Sequence, residues 1–140
     1  MTESLRPLPA PDPDTLFYWE GARRHELVIL RCATCGHYVH YPRPSCSTCA
    51  GTTLRPTPVS GRGVLYSYTI THYPAAPGFD DAVPFVVALV ELHEQKGLRI
   101  IANLREWDPS DLAIGMPVEV IFEQVATETI LPQVRPWRSV

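Results

Sequence analysis

All four cysteines of the chain fall in "RCATCGHYVHYPRPSCSTCA", residues 31–50, as two CxxC pairs, Cys32 with Cys35 and Cys46 with Cys49. Thiols at this spacing suit three chemistries: disulfide closure, electron exchange or metal ligation. Each two-residue spacer lets the chain form a tight knuckle whose two thiolates reach one ion at about 2.3 Å, so the doubled pair fits tetrahedral metal ligation. A redox motif of the thioredoxin kind is a single CxxC at a strand-to-helix turn. A disulfide framework belongs to oxidising compartments. Four thiolates leave no open position, so the expected ion is one structural Zn2+, with iron as the rival that ligand type alone does not exclude. Gly36 and Gly51 follow the two pairs, where they let the chain turn and aim N–H groups at sulfur. His37 and His40 lie between the pairs as alternative ligands, but four cysteines already complete the set.

No second constellation carries chemistry. His25, His72 and His93 fall at the ends of predicted elements. Asp80 and Asp81 are neighbours in a loop, where adjacent side chains of an extended chain point apart and make no acid/base pair. A nucleophile elbow, a phosphate-binding glycine loop and HExxH are all missing from the 140 residues. Lys plus Arg number 12 against 15 Asp plus Glu, a formal charge of -3 without a basic run, which argues against a grip on phosphate backbones. The sequence lacks the roughly 18-residue apolar stretch of a membrane span. "MTESLRPLPAPDPD" has neither the basic start nor the apolar core of a leader, so the expected setting is cytoplasmic, with no membrane partner.

The elements that position the cysteines read as three segments: an arm and helix over 1–25, a metal ribbon over 26–58 and a β domain over 59–140. Asp12 offers an N-cap and Pro13 a first helical position, so "PDTLFYWEGARR" predicts a short helix. Phe17, Tyr18 and Trp19 are consecutive on it and spread around most of its circumference, so one core face cannot bury all three. "ELVILR" predicts a strand leading into Cys32. The ribbon holds few large apolar side chains, too few to offset an ordering cost of about 1 to 2 kcal/mol per residue without the ion. Pro-rich stretches, drawn from 15 prolines, mark the joints.

From "SGRGVLYSYTITHY" onward the texture is β. "PFVVALVELHE" reads as a strand covered on both faces, "EQKG" as a hairpin turn into "LRIIANL", and "DPSDLAIG" as a helical turn closed by Gly115. "MPVEVIFEQV" alternates cleanly, and 127–134 add a last strand. Three meandering strands, a short connection and two more match the order of a five-stranded Greek-key OB-fold barrel. Its interior is filled, so function belongs on loops and outer faces. The longest loop, "YPAAPGFDDAV", carries Phe79 as an exposed ring.

"LFYWEGARRHELVILRCATCGHYVHYPRPSCSTCAG", "GRGVLYSYTITHYP", "VPFVVALVEL" and "IGMPVEVIF" together resemble the family that joins a rubredoxin-like zinc ribbon to an acyl-CoA-associated OB-fold domain. The likeness runs from Leu16 to Phe122. It implies a mainly β protein acting as a non-catalytic accessory subunit, which binds a thiolase-superfamily enzyme and helps shape its acyl-CoA channel. Partners of such proteins include thiolases, acyltransferases and the retro-aldolases of steroid side-chain breakdown. Carried over by position, Cys32, Cys35, Cys46 and Cys49 are the metal ligands. Phe17, Tyr18, Trp19 and Phe79 are the expected partner contacts. One departure stands out: the second knuckle is "CSTC" where relatives often have CPxC, which bears on its rigidity and not on ligation.

Two other classes compete. OB barrels and zinc ribbons also bind single-stranded nucleic acid, but Arg62, Arg99 and Arg105 are scattered among acids and form no basic groove, so no nucleic-acid partner is expected. A free-standing acyl-CoA binder would need cations for the phosphorylated adenosine end, for which Arg43, Arg55 and Arg62 are candidates.

Overall fold

The computed structural model describes residues 6–74 and 76–138, so the first five residues of the arm and the last two of the tail lie outside the described residues. Helix α1 spans Leu16–Arg23. Asp12 acts where expected but on the turn before the regular helix. Its Oδ1 accepts from the N–H groups of Asp14 and Thr15, both at 2.9 Å, and its carbonyl accepts from Leu16 N–H. Gly21 lets α1 lie against the following strand, since a Cβ there would stand 2.6 Å from Val28 Cγ2.

Strands β1 (Leu27–Cys32), β2 (Tyr38–Val39) and β3 (Leu54–Val59) form an antiparallel sheet in the order β2-β1-β3. Strand β3 lies in a stretch that reads from sequence as a Pro-rich joint. It is an edge strand, and an edge tolerates the missing donors of Pro56 and Pro58. β1 serves two cores. Leu27 and Ile29 join the barrel core, while Cys32 joins a small cluster with Val39 and Cys46, flanked by Leu30 and Leu54.

Strands β4 (Arg62–Thr71), β5 (Phe85–Leu92), β6 (Arg99–Leu104), β7 (Pro117–Ala126) and β8 (Thr129–Pro136) close into a barrel in the order β4-β5-β6-β8-β7. This is the five-stranded OB architecture read from the sequence. A bulge between Leu65 and Ser67 resets the alternation of β4, so Leu65 is fully buried and Tyr68 and Ile70 still pack on the same core. The closing seam between β6 and β8 is thin: one parallel pair, Leu104 with Val134, supplemented by Asn103 N–H donating to Gln133 Oε1 at 2.7 Å.

Two expectations shift in detail. Residues 108–115 form turns, not a helix: Asp108 Oδ1 accepts from Ser110 N–H and Oγ, and Gly115 takes a positive φ of 90°. β5 is covered fully on its inner face only. Phe85, Val87 and Leu89 on the outer face are half-buried, and their neighbour on β6, Ile101, is 57% exposed. No described helix is long and apolar enough to cross a membrane.

Candidate metal centre and docking surface

The two CxxC segments fold into near copies of one knuckle. In the first, Cys32 N–H donates to His37 O and Gly36 N–H to Cys32 O. In the second, Cys46 N–H donates to Gly51 O and Ala50 N–H to Cys46 O. The position after each second cysteine turns through positive φ, 80° at Gly36 and 62° at Ala50. Gly51 aims its N–H at sulfur as expected, but the turn falls on Ala50 and the glycine has a further task. A Cβ there would meet Cys32 Sγ and Cys49 Sγ at 3.2 Å, so the glycine makes room for the sulfurs. Its N–H donates to Cys49 Sγ at 3.4 Å, as Thr48 N–H does to Cys46 Sγ.

All four sulfurs lie within 4.8 Å of one another, with Cys32–Cys49 and Cys35–Cys46 each at 3.6 Å. Four sulfurs at 2.3 Å around a tetrahedral ion stand about 3.8 Å apart, so the cluster is sized for one. The cysteines are free thiols, two buried and two exposed. Their protonation is divided. The Cys35 N–H, with help from Thr34 N–H and the neighbouring thiols, draws Cys32 down to about 6 against the effect of burial. Cys49 N–H leads a similar lowering at Cys46. Cys35 receives the His37 N–H, yet burial and the other three sulfurs push it up to about 12. Four mutually close thiolates need a cation among them, and one metal ion bound by all four supplies it while leaving no ligand position for substrate.

The helix aromatics divide among several tasks. Phe17, Tyr18 and Trp19 are all half-buried, as the spread around the helix requires. Tyr18 packs on the barrel core, and burial, with Tyr41 nearby, pushes its phenol up to about 12. Trp19 meets Tyr18 edge-on with centroids 4.9 Å apart. Together they form one wall of a groove of about 200 Å3, completed by Thr15, by His40, Tyr41 and Pro42 from between the knuckles, and by Ile101 from the barrel. Sequence reading assigned none of these five to a docking surface. The signal available was the doublet Ile100–Ile101, since adjacent strand residues face opposite sides and one isoleucine must point outward.

Phe79 is half-buried, not exposed: its ring lies 5.6 Å from that of Phe85, and the Arg6 guanidinium sits 4.9 Å above it. Arg6 Nε also donates to Gly78 O at 2.8 Å, tying the arm to the long loop. The three arginines stand on separate elements. Arg43 flanks a cleft with Asp14 and Leu30, Arg55 is exposed on β3, and Arg62 at the start of β4 lies 4.7 Å over Trp137. The tail therefore packs on the barrel, with Trp137 N–H bonded to Pro117 O and Arg138 paired with Asp111.

A four-thiol ribbon followed by a closed OB barrel defines the class. Residues 19–55 match the profile of the "ChsH2, rubredoxin-like zinc ribbon domain" and 56–123 that of the "ChsH2, C-terminal OB-fold domain". A "DUF35 domain-containing scaffold protein" of Methanocaldococcus jannaschii is 34% identical over 73% of this chain and 71% of its own length. The chain belongs to this DUF35 family of zinc-ribbon and OB-fold proteins. It is 39% identical to the solved "Ltp2-ChsH2(DUF35) aldolase", with a TM-score of 0.81 over 91% of this chain and 98% of that one. Two longer relatives match as well. A "Probable enoyl-CoA hydratase alpha subunit" of Thermomonospora curvata is 40% identical over 96% of this chain and 41% of its own length. The "3-oxo-4,17-pregnadiene-20-carboxyl-CoA hydratase alpha subunit" of Mycobacterium tuberculosis is 41% identical over 81% and 35%. The chain thus spans about two fifths or less of these two relatives.

Proposed function

We propose that this chain is a non-catalytic accessory subunit that docks on an enzyme of the thiolase superfamily and helps shape the channel for its acyl-CoA substrate. The observation that carries this reading is the pairing of a four-thiol centre, closed to substrate once metal is bound, with an apolar groove open to solvent beside it. The names of the relatives support it: an aldolase of two named components, CoA hydratase subunits and a scaffold protein. A thiolase, an acyltransferase and a steroid side-chain retro-aldolase are the partner types, and the setting is the cytoplasm. Cys32, Cys35, Cys46 and Cys49 hold one structural zinc within the ribbon of residues 26–58. Segment 1–25 presents Phe17, Tyr18 and Trp19 to the partner, and segment 59–140 presents the region of Phe79. Arg43, Arg55 and Arg62 are the cations available to the phosphates of CoA.

The test is purification of the tagged chain from its host at low salt, with mass spectrometry of co-eluting proteins. A thiolase-superfamily protein in near-stoichiometric amount is the expected result. Nucleic acid, or no stoichiometric protein, contradicts the reading.

A further inference from the structure

We infer that the groove between α1, the metal loop and β6 receives a single apolar anchor side chain of the enzyme partner, and that the metal centre holds one wall of it in place; the identity of the partner rests on the function proposed above.

Size selects the occupant. Pockets that enclose whole small molecules measure roughly 300–1,000 Å3. At about 200 Å3 this groove is below that range and suits one large side chain of the kind that anchors protein interfaces. Charge narrows it further. Thr15, Tyr18, Trp19, Tyr41, Pro42 and Ile101 carry none, and burial pulls His40 down to about 4, so it is neutral at physiological pH. An Arg or Lys anchor finds no counter-charge here, whereas an aromatic or branched aliphatic one buries apolar surface on every side. Tyr41 and Ile101, which both line the groove, are each 57% exposed, more solvent contact than large apolar groups keep once an interface forms over them.

The dependence on metal follows from connectivity. His40, Tyr41 and Pro42 lie in the ten residues between Cys35 and Cys46, within a ribbon whose own buried cluster is only Cys32, Val39 and Cys46. Two of those three are thiols of the metal site. The rest of the lining is held without the metal: Tyr18 packs on the barrel core and Ile101 stands on β6. Loss of the ion therefore removes one wall and leaves the rest standing.

The experiment measures the affinity of the purified chain for the enzyme subunit recovered above, that subunit being expressed and purified separately. Five forms are compared: wild type, Ile101→Glu, Tyr41→Ala, the exposed-site control Ile114→Glu, and wild type stripped of zinc under reducing conditions and then reloaded. Zinc content and circular dichroism are recorded for each. The expected result is about 30-fold or greater weakening for Ile101→Glu, several-fold weakening for Tyr41→Ala, both with zinc retained, and no change for Ile114→Glu. Stripping should abolish binding and reloading should restore it. Wild-type affinity in both groove variants overturns the anchor site. Full affinity in the stripped protein overturns the metal-held wall. If the wild type binds no enzyme subunit, the proposed function falls and this inference with it.

Discussion

Gln95, in the turn between β5 and β6, holds the backbone of Tyr38 at both ends: Tyr38 N–H donates to Gln95 Oε1 at 2.8 Å, and Gln95 Nε2 donates back to Tyr38 O at 3.0 Å. The side-chain amide completes the open edge of β2 as a neighbouring strand would, and so ties the metal ribbon to the barrel. Glu94 beside it accepts from Ser60 N–H at 2.7 Å, pinning the turn between β3 and β4 to the same hairpin.

Gln95→Ala leaves a half-buried donor and acceptor of Tyr38 to find water. The expected cost is about 1–2 kcal/mol, confined to the ribbon. Amide exchange should quicken at β2 and in the metal loop, zinc transfer to a chelator should accelerate, and exchange in β5 and β6 should not change.

The second knuckle makes opposite demands at two neighbouring positions. Ala50 sits at a φ of 62°, where an L side chain is strained, so Ala50→Gly should stabilise the ribbon by about 0.5–1 kcal/mol. Gly51→Ala places a methyl 3.2 Å from two sulfurs and should lower zinc affinity at least several-fold. Competitive titration with a chromophoric chelator distinguishes the two variants.

Cys46→Ser, or removal of zinc, should melt the segment from Ala33 to Thr53 and spare the barrel. Binding energies of structural zinc, roughly 10 to 16 kcal/mol, exceed what a buried cluster of three residues supplies. Melting should stop short of the start of β1, because Leu27 and Ile29 are anchored in the barrel core. Residue-resolved amide exchange of the zinc-free protein locates the boundary.

Burial holds His40 at about 4 against an ordinary value of 6.5, so between these pH values the unfolded chain binds a proton that the folded chain refuses. Stability then rises with pH across this window and is fully present above about 6.5. The expected loss from pH 7 to pH 4.5 is about 1–3 kcal/mol. Urea titrations of wild type and His40→Asn should show this part of the slope only in the wild type, since acid release of the metal is common to both.

The metal site and the barrel were legible in the sequence because their signals are local. CxxC spacing fixes a knuckle, and alternation with turn residues fixes strands. What escaped depends on contacts between distant parts. β3 was masked by Pro56 and Pro58, whose missing donors matter only if the strand is internal, and it is an edge. Phe79 reads as exposed until Arg6, 73 residues earlier, is seen lying over it. Ile101 could be assigned outward only once its pairing with Leu89 set the register. Likewise His40, Tyr41 and Pro42 became a wall only when the ion-binding loop brought them to Trp19.

The proposed role puts the chemistry in a partner that this chain completes, and acyl-CoA turnover by the separately purified partner across a titration with this chain tests it. Turnover rising to a plateau at a fixed stoichiometry, with none from this chain alone, is the predicted result. Identical turnover with and without the chain contradicts it.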